Sequence, residues 1–204
     1  MHWKLHVNIL LYVSGSCLFI IGSVLFHPHF SAVSSLYQTG VLTFTIGSCL
    51  FALASLQQLH NNFRSVYSSE NILSDENQSL NMDLAVSFCR NTIGSVSGFL
   101  FIVGSIAFWP SFSHGGALVG NWLYRCGASL SLLNSLWALI REQMKLSKYT
   151  LLKLMILLSL FGAIGFLVGG GYFLYGGKYD SEGSYSWLAG SIFYLLSSLI
   201  IYKL

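Results

Sequence analysis

Arg125 is the residue from which chemistry would most readily start, because it stands inside the apolar run 119–140. A charged side chain within a membrane-length run is by default a functional group, and two roles are open to this one. Its guanidinium either snorkels along its own stem to the headgroup level or makes a polar or anion contact inside the protein. No Asp or Glu falls within any apolar run, so no carboxylate is at hand to pair with it or to relay protons as a coupled transporter needs. His27, His29 and His114 form a second group. Three imidazoles could hold Zn or Cu, but isolated interfacial histidines are commoner at the ends of apolar runs, and no metal is expected. His2 and His6 flank Trp3 and read as a headgroup anchor. The serines come without a G-x-S-x-G turn or an acid–base pair, which nucleophilic catalysis requires. Gly169-Gly170-Gly171 is not followed by Gly-Lys-Ser/Thr and so is not a phosphate loop. These residues predict neither an enzyme nor a cofactor.

The elements that must position them are membrane helices. Hydrophobic residues make up 54% of the 204 and charged residues only 8%, against about 25% charged in soluble domains. The net charge of +3 comes from scattered Lys and Arg, which excludes a nucleic-acid footprint. Cys17, Cys49, Cys89 and Cys126 show no C-x-x-C spacing and are expected as small packed hydrophobes. The first apolar run, Val7 to Phe26, is longer than the roughly 7 to 15 residues of a signal-peptide core, so it is read as a span.

Six segments reach the roughly 20 apolar residues that a span needs: 7–26, 38–59, 91–110, 119–140, 151–174 and 186–202. In lipid each must be helical, since no water is present to satisfy the backbone. The stretch 61–90 is polar and reads as a solvated linker. Lys4, Arg64, Arg90, Arg141, Lys145, Lys148, Lys153 and Lys203 fall on one side and Lys178 on the other. That bias predicts both termini in the cytoplasm, with the short connections facing the periplasm, lumen or exterior.

The spans repeat. Leu18 to Pro28 and Phe99 to Pro110 both place Gly-Ser ahead of Phe and end on Pro two residues after it. Aligned further, the chain divides into three tandem hairpins, 1–60, 91–142 and 143–204, the last divergent. Each repeat helix has a small residue seven positions before another: Gly15 and Gly22, Gly40 and Gly47, Ser97 and Gly104, Gly120 and Gly127, Gly162 and Gly169, Gly183 and Gly190, although Gly183 falls just before the expected span 186–202. Seven residues is close to two helical turns, so each pair forms a seam for close, left-handed helix packing.

The two Gly-Ser-Phe-Pro hairpins resemble the YrhK-like domain, a small bacterial two-helix membrane module. Gly120-Asn121-Trp122-Leu123-Tyr124-Arg125-Cys126-Gly127-Ala128 is similar to that family's Gly-x-Trp-Leu-Phe-x-x-Gly-Ser at the start of its second helix. The first hairpin has Val41-Leu42-Thr43-Phe44 in place of the Trp pattern, and the third lacks the Pro. The resemblance implies an all-α membrane fold and brings no activity with it. The expectation for function is a structural or protein- and lipid-interaction module, meeting membrane lipid, itself or another membrane protein, and no nucleic acid. The alternative is a small channel or transporter with a path between hairpins, lined by Ser23, Thr43, Thr45, Ser105, Asn134 and Ser198.

Overall fold

Two prolines set one end of the molecule. Helix α1 (His2–Leu25) and helix α4 (Asn77–Ala107) each stop three residues short of a proline, whose missing N–H and bulky ring cannot continue a helix. Each proline instead opens a new element, where the N–H is not needed: α2 (Pro28–Ser31) and a 3-10 turn at Pro110–Phe112. The chain then returns through α3 (Ser34–Ser69) and α5 (Ser113–Met144). The third long pair, α6 (Thr150–Leu174) and α7 (Asp180–Ile201), has no proline between its helices. It turns instead through Gly176 and Gly177, at φ +62° and +45°, a region open to glycine at little cost.

The computed structural model describes residues 2–69, 77–144 and 150–201, and within these the chain is all-α. Among the described residues four helices are long and apolar enough to cross a membrane, over His6–Leu25, Ser34–Asn62, Ala85–Ala107 and Thr150–Leu174. The expected span 119–140 lies in α5 and the described part of 186–202 lies in α7, and neither helix is among the four. α5 carries Asn121, Arg125 and Asn134, and α7 opens on Asp180 and Glu182.

The six long helices pack in chain order, α1 on α3, α3 on α4, α4 on α5, α5 on α6 and α6 on α7, and α7 returns to α1 to close a ring. Large apolar side chains such as Leu42, Ile46, Leu53, Phe99, Leu133 and Ile140 face outward, while Ser16, Ser23, Ser48, Ser105 and Ser191 are buried. This distribution fits lipid surroundings, where small residues let helices approach and apolar surface needs no burial.

The linker expected over 61–90 is largely helical. α3 runs on to Ser69 and α4 already begins at Asn77, with residues 70–76 outside those described. A polar sequence lacks its own reason to fold, but extending an existing helix avoids the cost of nucleation. The two extensions also meet, Asn62 Nδ2 donating to Ser87 Oγ at 2.7 Å. The 36 residues of α3 span about 54 Å at 1.5 Å each, against about 30 Å of hydrocarbon, so this pair projects beyond the ring. The basic turn at 145–149 and the anchor at 202–204 lie outside the described residues.

The cysteines depart from expectation. Cys17, Cys89 and Cys126 are exposed on the outside of the ring and Cys49 is half-buried, all as free thiols. Cys17 follows buried Ser16 and Cys126 precedes buried Gly127, and a shift of one residue turns a side chain by about 100° on a helix.

Candidate functional site

The small residues of the seams are sockets for rings. Gly15 lies under Phe51, Gly22 under Phe44, Gly40 under Phe26 and Gly47 under Phe19. Gly104 lies under Tyr124, Gly120 under Phe108, Gly127 near Phe101 and Gly162 under Tyr194. Gly169, Gly183 and Gly190 take Trp187, Phe173 and Phe166. Backbones approach closely across the same seams. A Cβ added to Gly15 or Gly47 would sit 3.1 Å from the other's carbonyl oxygen, and one on Gly120 would sit 2.9 Å from that of Gly104. Ser97 fills its place in the series by donating its hydroxyl to Gly127 O at 2.8 Å.

The socketed rings meet inside the helix ring as stacked layers. Phe19, Phe101 and Phe166 form one triangle, with centroids 6.4, 5.5 and 5.9 Å apart. Phe44, Tyr124 and Trp187 form the next, at 5.8, 5.3 and 5.1 Å. Towards the short-loop end, Phe26 lies 5.5 Å from Phe108 and 6.5 Å from Phe173. Trp187 Nε1 donates to Phe166 O at 3.1 Å, tying two layers together. The interior is aromatic over these layers, and its edge-on, tilted and stacked ring contacts suit the charge distribution of aromatic faces.

Sequence reasoning missed these rings, although a signal for them exists. In eleven of the twelve seam positions the residue four places on is aromatic: Phe19, Phe26, Phe44, Phe51, Phe101, Phe108, Tyr124, Phe166, Phe173, Trp187 and Tyr194. Four places is one helical turn on the same face. Each helix therefore carries its sockets and its plugs on one stripe.

The single exception makes a cavity. Four residues after Gly127 stands Ser131, and the neighbouring register holds Gly94 and Ser159 where the first pair has Tyr12. Below the Phe19 triangle, at the end bearing the chain termini, these small residues leave about 220 Å³. Gln58, Arg90, Asn134, Ser135 and Ser198 also line it. Arg90 Nε donates to Asn134 Oδ1 at 3.3 Å, and the Ser97 and Ser131 hydroxyls lie 2.8 Å apart. The three phenylalanines close the cavity's far end.

Of the residues considered as a channel lining, only Asn134 and Ser198 reach that cavity. Ser23 donates to Phe19 O and Ser105 to Phe101 O, each at 2.7 Å. Thr43, Thr45 and Ser198 each donate at 2.8 Å to a carbonyl of their own helix, those of Gly40, Val41 and Tyr194. Hydroxyls bonded back in this way face their helix rather than a pathway. Across the helix interfaces, Ser23 and Ser191 lie 3.4 Å apart, and Ser48 and Ser105 3.3 Å apart.

Arg125 sits at the α5–α6 contact, with its guanidinium carbon 4.9 Å from the centroid of Trp122. Among the described residues its buried Nε has no hydrogen-bond partner. A groove of about 560 Å³ beside it is lined by Trp122, Val168, Gly171, Leu174 and Tyr175. His27 caps α2, its Nδ1 accepting from His29 N at 3.3 Å, and both line a second groove with Val24, Tyr185 and Leu188. The side chain of His114 lies outside the described residues. Among the described residues no three His, Cys, Asp or Glu gather in a metal-holding group. The arrangement offers a sealed core, a polar cavity at one end and grooves on the outside, features suited to holding a ligand.

No curated protein and no solved structure matches the chain. A family model does, the one described as YrhK-like protein, and its match begins inside α1 and ends inside α3, covering the first helix pair with its proline-led turn. Residues 6–63 are therefore a YrhK-like domain.

Proposed function

We propose that the chain is a six-span inner-membrane protein of three tandem hairpins, with both termini in the cytoplasm, that serves as a non-catalytic, non-conducting module binding lipid or another membrane protein. The observation that carries this is the aromatic packing along the axis. Any path between the hairpins would have to part the Phe19–Phe101–Phe166 and Phe44–Tyr124–Trp187 triangles, whereas the hydroxyls that would line it are bonded to their own helices. The tandem reading is supported by burial in register. Residues 40–48, 120–128 and 183–191 pass through the same order of buried, half-buried and exposed positions. α5 and α7 complete the ring on either side of α6, which favours counting them as spans although they are the more polar helices.

The test is reconstitution of the full chain into liposomes loaded with a self-quenching dye and, separately, with a potassium-sensitive probe. Release no faster than from protein-free vesicles is expected. Protein-dependent flux that falls when Phe44→Trp thickens the core would refute the module and establish the channel. Orientation is checked with reporter fusions at Asn77 and after Leu204, where a periplasmic signal would reverse the topology.

A further inference from the structure

Three helix contacts of the ring stand in matching register, α3 on α4, α5 on α6 and α7 on α1, and one of them is chemically different. At the register of Arg125 the first pair has Thr45 and the third has Leu188, and at that of Gly171 the first two pairs have Val24 and Ile106. Thr45 is already bonded to Val41 O, and Leu188 is apolar. Among the described residues of these three contacts, only that between α5 and α6 brings an arginine and open space together. A Cβ added to Gly171 would meet nothing within 4 Å, and one added to Gly170 would lie 2.9 Å from Arg125 Cγ. The arginine stem thus crosses α6 where a side chain is missing, and the residue beyond leaves the groove empty.

The direction of the guanidinium follows from the helix. Side chains lean towards the N-terminus of their own helix, and α5 begins at the short-loop end, so Arg125 leans towards Trp122 and that end of the ring. Gly170 is in register with Ser105, five residues inside Pro110, or about 7.5 Å along the helix. That depth lets an arginine head reach the phosphate level. Trp122, Val168 and Tyr175 are all exposed, so the groove opens sideways to lipid. Arg125 makes no ion pair among the described residues, and its buried Nε awaits an acceptor. A guanidinium offers a forked set of donors that matches a phosphate, whereas an ammonium offers only a point charge.

We propose that the α5–α6 groove holds one phospholipid of the leaflet at the short-loop side. Its phosphodiester lies on Arg125 beside Trp122 and Tyr175, and one acyl chain runs over Gly171 and Val168 towards Ile164. This rests on reading the chain as a lipid-facing multi-span module. The full chain, purified in mild detergent, would be examined by native mass spectrometry with added phosphatidylglycerol or with diacylglycerol of the same chains. The wild type is expected to retain one phospholipid and no diacylglycerol. Arg125→Gln is expected to weaken retention by about tenfold or more, as loss of a charge-assisted contact implies, and Arg125→Lys by less. Gly171→Val, which copies Val24 at the matched position, is expected to weaken it with the charge untouched and the melting temperature preserved. Equal retention by wild type and Arg125→Gln, equal retention of diacylglycerol, or a wild type without phospholipid would each overturn the site. The module reading fails separately, by protein-dependent flux in liposomes.

Discussion

Two glycines on one helix give opposite expectations for the same substitution. Gly165 and Gly171 are both in α6, six residues apart, so alanine brings each the same gain in helix propensity, up to about 1 kcal/mol. Their surroundings differ. A Cβ on Gly165 would lie 2.7 Å from Gly190 Cα, 2.8 Å from Ser186 O and 2.9 Å from Gly190 N, whereas one on Gly171 would meet nothing within 4 Å. The atoms facing Gly165 are backbone and have no rotamer to change, so relief requires α6 and α7 to separate. A gap of 0.5–1 Å forfeits about a quarter to a half of each contact's dispersion energy, and overpacking of this kind costs roughly 1–3 kcal/mol. Because the propensity gain is common to both variants, Gly165→Ala should be less stable than Gly171→Ala by about 1–3 kcal/mol. Reversible unfolding in mixed micelles, followed by circular dichroism, measures the difference. Equal stability of the two variants, or a Gly171→Ala protein less stable than Gly165→Ala, would refute close α6–α7 approach as the reason for glycine at position 165.

Ser131→Phe restores the missing ring of the socket-and-plug stripe. Filling about 100 Å³ is worth about 2 kcal/mol, less about 1 kcal/mol for the lost Ser97 contact, so a modest rise in the unfolding midpoint is expected, together with loss of probe binding in the cavity at the terminus end. A large destabilisation would show that the cavity is not available space. Trp187→Phe removes the 3.1 Å bond to Phe166 O and leaves a small void, and a loss of about 1–3 kcal/mol is expected in the same unfolding assay. At the α6–α7 turn, partial burial raises the Asp180 carboxyl above 3.8 and a backbone hydrogen bond from Gly177 offsets it in part. A raised acid stabilises the fold below its unfolded value and loses that contribution as pH climbs through its folded value. Hydrogen-exchange protection near the turn, corrected for the intrinsic pH dependence of amide exchange, should therefore fall as pH climbs from below 3.8 through the raised value, and Asp180→Asn should flatten the dependence.

Much of this architecture is legible in the chain, because membrane helices obey few rules. Span length, the proline stops at Pro28 and Pro110 and the seven-residue series of small residues follow from backbone satisfaction and close approach. Gly183, which fell before the segment expected as a span, is inside α7 and under Phe173, so the series located the helix better than hydropathy did. What hid the aromatic layers is that hydropathy cannot tell inside from outside when lipid and core are equally apolar. Phe99 and Phe101 look alike in sequence, yet one is exposed and the other buried. The cavity was hidden for a related reason: it is made by absent rings at Gly94, Ser131 and Ser159, and an absence shows only against the stripe it interrupts. The extended α3 and α4 were obscured by polar composition, which reports solvent contact and says little about helical continuity.

Closure of the ring by α7 on α1 has a consequence for how the protein comes into being. Each aromatic triangle takes its third ring from the last helix pair: Phe166 in one, Trp187 in the next. While the chain is being made, the first four long helices can form an open trough, but every layer in it is one ring short and one wall missing. The final pair supplies that wall and both triangle rings at once, and its arrival joins the earliest helix to the latest. A chain cut after α5 would lack the closing wall that joins the first pair to the last and the third ring of each triangle.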